Sequence, residues 1–184
     1  LLSLCKKKKV RVLIPTVDEE LLVIAKNREK FERISTKVLV ADEDALESAL
    51  DKYLSYKKLG ELYARTWTLE EFMEEANSYA FPIVLKPRRG RGSRSVYICD
   101  NVEELRVLAK KVENPIVQEY LEEPEYTVDV LSNLSNEPII AVSRRRLEVK
   151  AGITWRGVID LRKDVIEVAK EAAKRLKLIG SSCI

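Results

Sequence analysis

The chain has 184 residues, of which 46% are hydrophobic and 34% are charged, and its formal net charge is +3. This length and hydrophobic content allow one or two domains with a real core, and the near balance of charges argues against a strongly basic protein that binds nucleic acid by bulk charge. The sequence contains no histidine, which excludes Ser-His-Asp and Cys-His catalysis and a histidine general base. A phosphoryl-transfer enzyme needs none of these.

The N-terminal part of the sequence predicts alternating strands and helices. Apolar runs over 10–16 (VRVLIPT) and 36–40 have the length and the flanking residues of buried strands. Between them, Asp18 can cap a helix over 19–31, and a second helix is predicted over 42–59. This strand, helix, strand order indicates a parallel sheet.

Two capping boxes, in which Thr or Asn precedes Glu by three residues, predict helices at about 69–77 and 102–112. A further helix is predicted over 165–177, where apolar residues recur at helical spacing between Asp164 and Gly180. The boxes are Thr68 with Glu71 and Asn101 with Glu104, and further strands are predicted over 116–120 and 126–131.

The segment 81–98 (FPIVLKPRRGRGSRSVYI) is the most informative part of the chain. An apolar strand leads to Lys86, Pro87 stops the strand ladder, and a loop with two glycines and four arginines precedes a second strand. Glycines let the backbone approach an anion closely, and serine and arginine side chains donate hydrogen bonds to it. The residues of this loop, which we call the glycine loop, are Arg88, Arg89, Gly90, Arg91, Gly92, Ser93 and Arg94.

Two interpretations of this loop are open from the residues alone. One is a phosphate-binding loop, and the other is a solvated hairpin tip with a basic surface. The loop does not match the G-x-x-x-x-G-K-[ST] phosphate loop, so that fold is not implied. If it binds an anion, residues 88–95 are expected to form a mobile lid, because glycines allow several conformations and neighbouring arginines repel one another until an anion arrives.

Four segments together carry a resemblance to a known family. They are DKYLSYK at 51–57, FPIVLKPRRGRGS at 81–93, VQEYLEEPEYTVDVL at 117–131 and RRRLEVKAGI at 144–153. In this order they resemble the ATP-grasp superfamily, and most closely the branch around the large subunit of carbamoyl phosphate synthase. The resemblance covers about residues 10–184.

The resemblance implies a fold with α/β and α+β parts. This is an ATP-grasp fold, in which two α+β subdomains clamp a nucleotide, preceded by a partial parallel-sheet domain. The implied boundaries are 1–50 for the partial domain, 51–115 for the linker helix and the subdomain with the lid, and 116–184 for the second subdomain. The second subdomain is expected to be incomplete, with the magnesium ligands beyond Ile184, and residues are expected to be absent near Gly60.

The resemblance also implies which residues bind a nucleotide. The implied set is Lys52, Lys86, Gly90, Arg91, Gly92, Ser93, Gln118, Glu119, Tyr120, Leu121 and Glu125. In the family the two lysines reach the phosphates, the glycine loop closes over the β- and γ-phosphates, the segment after Gln118 borders the adenine, and the last acid binds the ribose hydroxyls. Lys52 could equally be a surface lysine beside Asp51, and Glu125 a paired surface glutamate.

The resemblance gives Arg146 and Lys150 a role with the acceptor substrate or a phosphate, so that Arg146 and Lys86 are the expected catalytic residues. The alternative is that RRRLEVK is a charged edge strand protected from aggregation. Trp67 and Trp155 are expected to pack against the protein rather than hold a ligand.

The implied activity is that of an ATP-dependent carboxylate-amine or carboxylate-ammonia ligase with magnesium, working through an acyl phosphate. Its expected partners are a small carboxylate and an amine or ammonia, and a homodimer is compatible with the sequence. Two alternatives stay open: a nucleotide-binding module without catalysis, and an RNA-binding protein that uses RRGRGSR. Against the second, no aromatic residue interleaves with the arginines.

Cysteine spacing and the ends of the sequence bear on location. Cys5, Cys99 and Cys183 lack the paired spacing of a zinc site and are expected to be reduced, buried thiols. No apolar run of 18 residues exists, and the charges of LLSLCKKKKV follow its apolar residues, opposite to a signal peptide. We therefore expect a cytoplasmic protein with no membrane partner, in which 133–136 forms a hairpin turn.

Overall fold

The computed structural model describes residues 1–122, 124–150 and 152–184, apart from the side chain of Asn77. Its N-terminal layer contains a first sheet of two parallel strands, which confirms the predicted parallel pairing. The elements are α1 (Leu2–Lys8), β1 (Val12–Leu13), α2 (Asp18–Lys26), α3 (Arg28–Glu32), β2 (Lys37–Val38) and α4 (Glu43–Leu50). The predicted cap at Asp18 is wrong: Val17 precedes the helix, and Asp18 lies in its first turn, where its charge suits the helix dipole.

The helix predicted over 42–59 is interrupted at Asp51, and α5 (Lys52–Leu59) begins directly after it. Asp51 has extended backbone angles, and its carboxylate accepts hydrogen bonds from the amides of Tyr53 and Leu54. The same buried carboxylate accepts hydrogen bonds of 2.8 Å from Arg88 Nε at both of its oxygens. Burial alone would raise the pKa of Asp51, but the hydrogen bonds from Arg88 and the Leu54 amide hold that pKa below its usual range.

The second sheet is antiparallel and has the strand order β3-β6-β4-β5. Its region contains β3 (Thr66–Thr68), α6 (Leu69–Glu74), β4 (Ile83–Pro87), β5 (Tyr97–Cys99), α7 (Val102–Ala109) and β6 (Pro115–Glu119), with 3-10 turns at Gly60–Leu62 and Ala76–Ser78. The capping box of Thr68 and Glu71 is confirmed. The sequence did not predict β3. Pro87 is the last paired residue of β4, as expected.

One face of the second sheet carries a hydrophobic core under α6 and α7. Phe72, Leu85 and Leu105 are fully buried there. Trp67 packs against this core, with its ring 5.5 Å from that of Phe72, as predicted. Because side chains alternate along a strand, a buried Leu85 turns its neighbour Lys86 to the opposite face.

The third sheet is antiparallel, with the strand order β10-β7-β8-β9. Its elements are β7 (Tyr126–Ser132), β8 (Pro138–Lys150), β9 (Ile153–Ile159), α8 (Lys163–Arg175) and β10 (Gly180–Cys183). β8 pairs with both β7 and β9 at Arg144 and Arg145, so the edge-strand interpretation of RRRLEVK is wrong there, whereas residues 147–150 pair only with β9 and do form an edge. The predicted turn after β7 is confirmed, since Asn133 Oδ1 accepts hydrogen bonds from the amides of Ser135 and Glu137.

Helix α8 joins two parts of the molecule. Ala169 and Ala173 pack on the third sheet, whereas Ala172 and Leu176 belong to the buried core of the N-terminal layer. Arg175 Nη1 also donates a hydrogen bond of 2.9 Å to the carbonyl of Leu59 at the end of α5. The core of the N-terminal layer therefore includes residues from the far end of the sequence.

Two expectations about single residues are wrong. Cys5 and Cys99 are buried as predicted, but Cys183 is exposed at the end of β10. Trp155 is 66% exposed and does not pack into a core; instead the ammonium of Lys150 lies 4.6 Å from its ring centre. Among the described residues, no helix is long and apolar enough to cross a membrane.

Substituting Asp51 should separate its two structural roles. Asp51→Ala removes both the cap of α5 and the partner of Arg88, and should lower the free energy of unfolding by about 3 kcal/mol. Asp51→Asn keeps a good capping side chain and removes only the charge, so its loss should be about half as large. Urea denaturation at pH 7 measures both values.

The pH dependence of the same measurement provides the control. A lowered carboxyl pKa stabilises the fold above the unfolded-state value near 4 and stops doing so as the pH falls through the folded-state value. The difference between the wild type and Asp51→Asn should therefore shrink below pH 4. A difference that is equal at pH 7 and pH 3 would contradict this assignment.

Candidate functional site

A cavity of about 610 Å³ lies where the second sheet faces the β8–β9 hairpin of the third sheet. Its lining combines the start of α5, strands β4 to β6, the glycine loop and the segment between β6 and β7. The lining residues are Lys52, Val84, Lys86, Pro87, Gly90, Arg91, Gly92, Ser93, Arg94, Val96, Ile98, Gln118, Glu119, Tyr120, Leu121, Glu125 and Gly152. The structure thus brings together every residue of the nucleotide-binding set that the resemblance implies.

Lys86 is the most unusual group in this cavity. It lies largely buried on β4, and its Nζ donates a hydrogen bond of 2.5 Å to Gln118 Oε1 on β6. Burial, with a smaller effect of the charge of Lys52, lowers the pKa of Lys86 to about 8. No carboxylate pairs with it among the described residues. A buried cation that faces a cavity with only a neutral partner is suited to bind an anion.

Lys52 lies beside the base of the glycine loop. Its Nζ donates a hydrogen bond of 2.9 Å to the carbonyl of Gly90, and its backbone amide donates one of 3.1 Å to the carbonyl of Arg88. Burial lowers the pKa of Lys52, against the opposing charge of Asp51. Because Asp51 is engaged by Arg88, the alternative of a simple Lys52–Asp51 surface pair is not what the structure contains.

The sequence suggested that the loop arginines carry free charges, but most of them have partners. Three of the four form ion pairs with carboxylates of the N-terminal layer or with Asp51, the residue that precedes α5. The pairs are Arg88 with Asp51, Arg89 with Glu47 and Asp51, and Arg91 with Glu19. The expected mutual repulsion is therefore wrong for these three, although Arg91 and Arg94 still line the cavity. The mobility of the loop stays a prediction.

The glycine loop has a backbone that turns back on itself. Gly90, Gly92 and Ser93 have φ angles of 132°, 68° and 51°, and the first two lie where side chains are disfavoured. Gly152, at the tip of the β8–β9 hairpin, contacts this loop so closely that a Cβ there would lie 2.6 Å from the carbonyl carbon of Gly92. Sequence reasoning missed Gly152, although a glycine between two strands is a signal for a turn.

Arg146 holds the other side of the cavity in place. Its side chain is 15% exposed, Nη1 donates a hydrogen bond of 2.6 Å to Glu125 Oε1, and Nη2 donates one of 2.9 Å to the carbonyl of Gly152. Its Nε is buried and has no partner among the residues that the structure describes, since none of their acceptors forms a hydrogen bond with it. Arg146 does not itself line the cavity but fixes two residues that do. Lys150 lies outside the cavity and pairs with Glu148.

The segment between β6 and β7 forms an apolar border of the cavity, and a hydrogen bond of Glu119 fixes the position where this segment begins. Glu119 Oε1 accepts a hydrogen bond of 2.7 Å from the amide of Arg65, so this carboxylate is directed away from a ligand role. Tyr120 and Leu121 are 41% and 66% exposed and line the cavity together with Val84 and Ile98. Exposed apolar side chains around a cavity suit a flat apolar ring.

A second cavity, of about 650 Å³, lies between α2, α3 and the start of α4. Charges of both signs alternate along it, and its most central arginine, Arg28, donates a hydrogen bond of 2.6 Å to the carbonyl of Val40. Arg28 also pairs with Asp42 at 3.2 Å, whereas Lys86 in the first cavity has only a neutral partner among the described residues. Among the described residues, no group of three His, Cys, Asp or Glu side chains could hold a metal ion.

Comparison with known protein families identifies the family to which this chain belongs. Residues 49–184 match the family model of the ATP-grasp domain, and residues 1–39 match that of the PylC-like N-terminal domain. The chain therefore belongs to the ATP-grasp family, and the resemblance inferred from the four segments is confirmed.

Individual relatives refine this placement. The carbamoyl phosphate synthase large chain of Clostridium botulinum (strain Kyoto / Type A2) is 27% identical over 188 residues, covering 97% of this chain and 16% of the relative. The D-alanine–D-alanine ligase of Pseudothermotoga lettingae is 34% identical over 86 residues, covering 44% of this chain and 29% of the relative. The chain thus spans less than a third of the length of these relatives.

A solved structure confirms the predicted fold. The biotin carboxylase domain of the 2-oxoglutarate carboxylase of Hydrogenobacter thermophilus, in complex with magnesium ADP, ADP and bicarbonate, superimposes with a TM-score of 0.76 at 18% identity. The match covers 99% of this chain and 46% of that one. The ATP-grasp fold preceded by an N-terminal domain is thereby shown, while the domain boundaries and the roles of the site residues stay predictions.

Nucleotide binding should depend on pH through Lys86. Below pH 8 this lysine is protonated in the free protein, so its attraction for phosphate is present; above pH 8 binding must also take up a proton. The affinity for ATP should therefore fall as the pH rises from 7.5 to 9.5, by up to about tenfold per pH unit. Isothermal titration calorimetry across this range measures it.

Two variants control this experiment. Lys86→Met should bind ATP about 10- to 100-fold more weakly at pH 7.5 and should lose most of the pH dependence. Lys58→Met, at an exposed position of α5 outside the cavity, should behave as the wild type. A pH dependence that survives in Lys86→Met would assign it to another group, such as Lys52, whose pKa is also lowered.

Gly152 should be needed for the position of the glycine loop. Gly152→Ala adds a Cβ within 2.7 Å of three atoms of Gly92 and Ser93, so the loop must move and the affinity for ATP should fall at least fivefold. Amide hydrogen exchange of residues 88–95 should become faster in the variant. Gly60→Ala has a similar positive φ of 58° but nothing within 4 Å, and it controls for backbone strain alone. Equal effects of both substitutions would contradict a specific contact.

Proposed function

We propose that this protein is an ATP-dependent ligase that joins a carboxylate to an amine or ammonia, with magnesium and through an acyl phosphate. The observation that carries the proposal is the buried ammonium of Lys86, which faces a 610 Å³ cavity and has only the neutral Gln118 as its partner. Such a group binds phosphate oxygens at little rearrangement, because its charge is already in place.

Other features of the cavity support ATP as the ligand. The glycine loop lines the cavity together with Lys86 and Lys52, and backbone amides of such a loop would suit the phosphates. Tyr120, Leu121 and Ile98 offer apolar contacts at the cavity border, which suits the adenine.

The proposed reaction has two balanced steps. A carboxylate oxygen of the substrate attacks the γ-phosphorus of ATP, the bond between that phosphorus and the bridging oxygen breaks, and ADP leaves. The nitrogen of the amine or ammonia then attacks the acyl carbon, loses a proton, and releases inorganic phosphate. Lys86 and Lys52 would offset the charge on the phosphoryl oxygens, and the loop would exclude water from the acyl phosphate.

The remaining roles follow the resemblance and belong to the same proposal. Glu125 would accept hydrogen bonds from the ribose hydroxyls while Arg146 holds it by a 2.6 Å hydrogen bond. Magnesium would offset the charge of the phosphates, and among the described residues no group of three His, Cys, Asp or Glu side chains would hold it. The protein would act in the cytoplasm, on a small carboxylate and an amine or ammonia, as part of a longer chain or assembly. The units 1–50, 51–115 and 116–184 would be its successive domains.

The RNA-binding alternative is disfavoured by a specific observation. Three arginines of RRGRGSR are held by Asp51, Glu47 and Glu19 of the same chain, which leaves few free guanidinium groups for a nucleic acid backbone. A nucleotide-binding module without catalysis remains the second candidate and is distinguished by the experiment below.

Titration calorimetry and a coupled assay for ADP release test the proposal on the full-length protein. We expect ATP with magnesium to bind in preference to GTP, and ADP release to require a carboxylate and to stop in Lys86→Met but not in Lys58→Met. Binding of ATP without ADP release across a panel of carboxylates and amines would favour the module. No binding of ATP would overturn both.

A further inference from the structure

The contact of Lys86 with Gln118 is one end of a longer chain of hydrogen bonds. Gln118 Nε2 donates a hydrogen bond of 2.8 Å to Thr66 Oγ1, and Thr66 Oγ1 donates one of 2.8 Å to the carbonyl of Ala64. Thr66 is 2% exposed and lies directly opposite Gln118 in the pairing of β3 with β6. The chain therefore runs from the buried edge of the second sheet to the cation in the cavity.

The donors and acceptors in this series of hydrogen bonds fit together in one arrangement. An ammonium only donates hydrogen bonds, so Gln118 must present its oxygen to Lys86 and its NH2 group to the other side. That NH2 group needs a buried acceptor, and the hydroxyl of Thr66 is free to accept because its own proton goes to Ala64. Thr66 thus satisfies the NH2 group in the orientation of the amide that Lys86 requires.

Without this acceptor the amide would lose its orientation. A buried NH2 group with no partner carries a large desolvation penalty, and turning the amide over to relieve it would point its hydrogens at the ammonium of Lys86. Both outcomes would move Lys86 or weaken its hold. Tyr63 also interacts with Gln118, and burial raises the pKa of Tyr63 against this interaction.

We propose that Thr66 is a positioning residue of the nucleotide site, which acts through Gln118 to hold the ammonium of Lys86 toward the phosphates. The inference rests on the proposed function. Thr66 does not line the cavity and touches no ligand there. Its effect is indirect: it selects a neutral acceptor for Lys86, so that the lysine keeps its full charge and its remaining N–H groups for the ligand.

The experiment compares three substitutions of Thr66 in the full-length protein. Thr66→Val keeps the shape of the side chain and removes its hydroxyl. Thr66→Ala removes both the hydroxyl and the methyl group, and Thr66→Ser retains the hydroxyl. The affinity for ATP with magnesium is measured by titration calorimetry at pH 7.5 and 9. We expect about a fivefold to tenfold loss in Val and Ala, less than a twofold change in Ser, and a lower midpoint of the pH dependence in Val and Ala.

A double-mutant cycle with Gln118→Met separates positioning from general damage to the fold. If Thr66 acts through Gln118, then Thr66→Val has no further effect on ATP affinity once the amide is gone. Thr66→Ala serves in the same cycle if the valine variant does not fold. Equal losses in the Ser and Val variants, or an undiminished effect of Thr66→Val in the Gln118→Met background, would overturn the inference.

The controls distinguish this failure from that of the proposed function. If the wild type does not bind ATP, the proposed function is wrong, and so is this inference, because it rests on that function. If the wild type binds ATP with the expected pH dependence but Thr66→Val and Thr66→Ala match it in both affinity and midpoint, only the positioning role fails. Unfolding free energies of all variants show whether a lost affinity reflects lost structure.

Discussion

The carboxylate of Asp51 is the interaction on which the arrangement of the site depends. It is 3% exposed, and its oxygens accept hydrogen bonds from the amides at the start of α5 and from the guanidinium of Arg88 at the base of the glycine loop. A buried carboxylate is stable only when its hydrogen-bonding capacity is satisfied in this way. The requirement ties the helix that carries Lys52 to the loop that carries Gly90, and so sets the distance between them.

The charges of the site divide into two groups with different partners. The arginines Arg88, Arg89 and Arg91 are bound to carboxylates and serve to hold the loop. The lysines Lys52 and Lys86 contact only neutral oxygens, and burial lowers the pKa of both. Arginine suits the first task because its planar group binds carboxylates at fixed geometry, and lysine suits the second because it is a compact charge that a ligand can share.

Local patterns in the sequence were enough to locate much of this site. The proline after Lys86, the two glycines and the order of four segments indicated a strand, a loop and a family, and the cavity contains the nucleotide-binding residues so implied, although not Arg146 or Lys150. What could not be predicted depends on distant partners. Glu47 and Glu19 lie 42 and 72 residues from the arginines they hold, and Thr66 lies 52 residues from Gln118. Asp51 was hidden because the apolar pattern of a helix continues across it, and Trp155 and Cys183 were misjudged because exposure depends on what packs against a strand.

The placement of α8 affects how the molecule forms during synthesis. Ala172, Leu176 and Leu178 complete a core whose other buried members precede residue 60, with more than a hundred residues of chain between them. Closing so long a loop delays the contacts that depend on it. The N-terminal layer is synthesised before α8, yet its apolar side chains stay partly uncovered until α8 has been made. For that interval the chain presents an incomplete surface of the kind that chaperones bind.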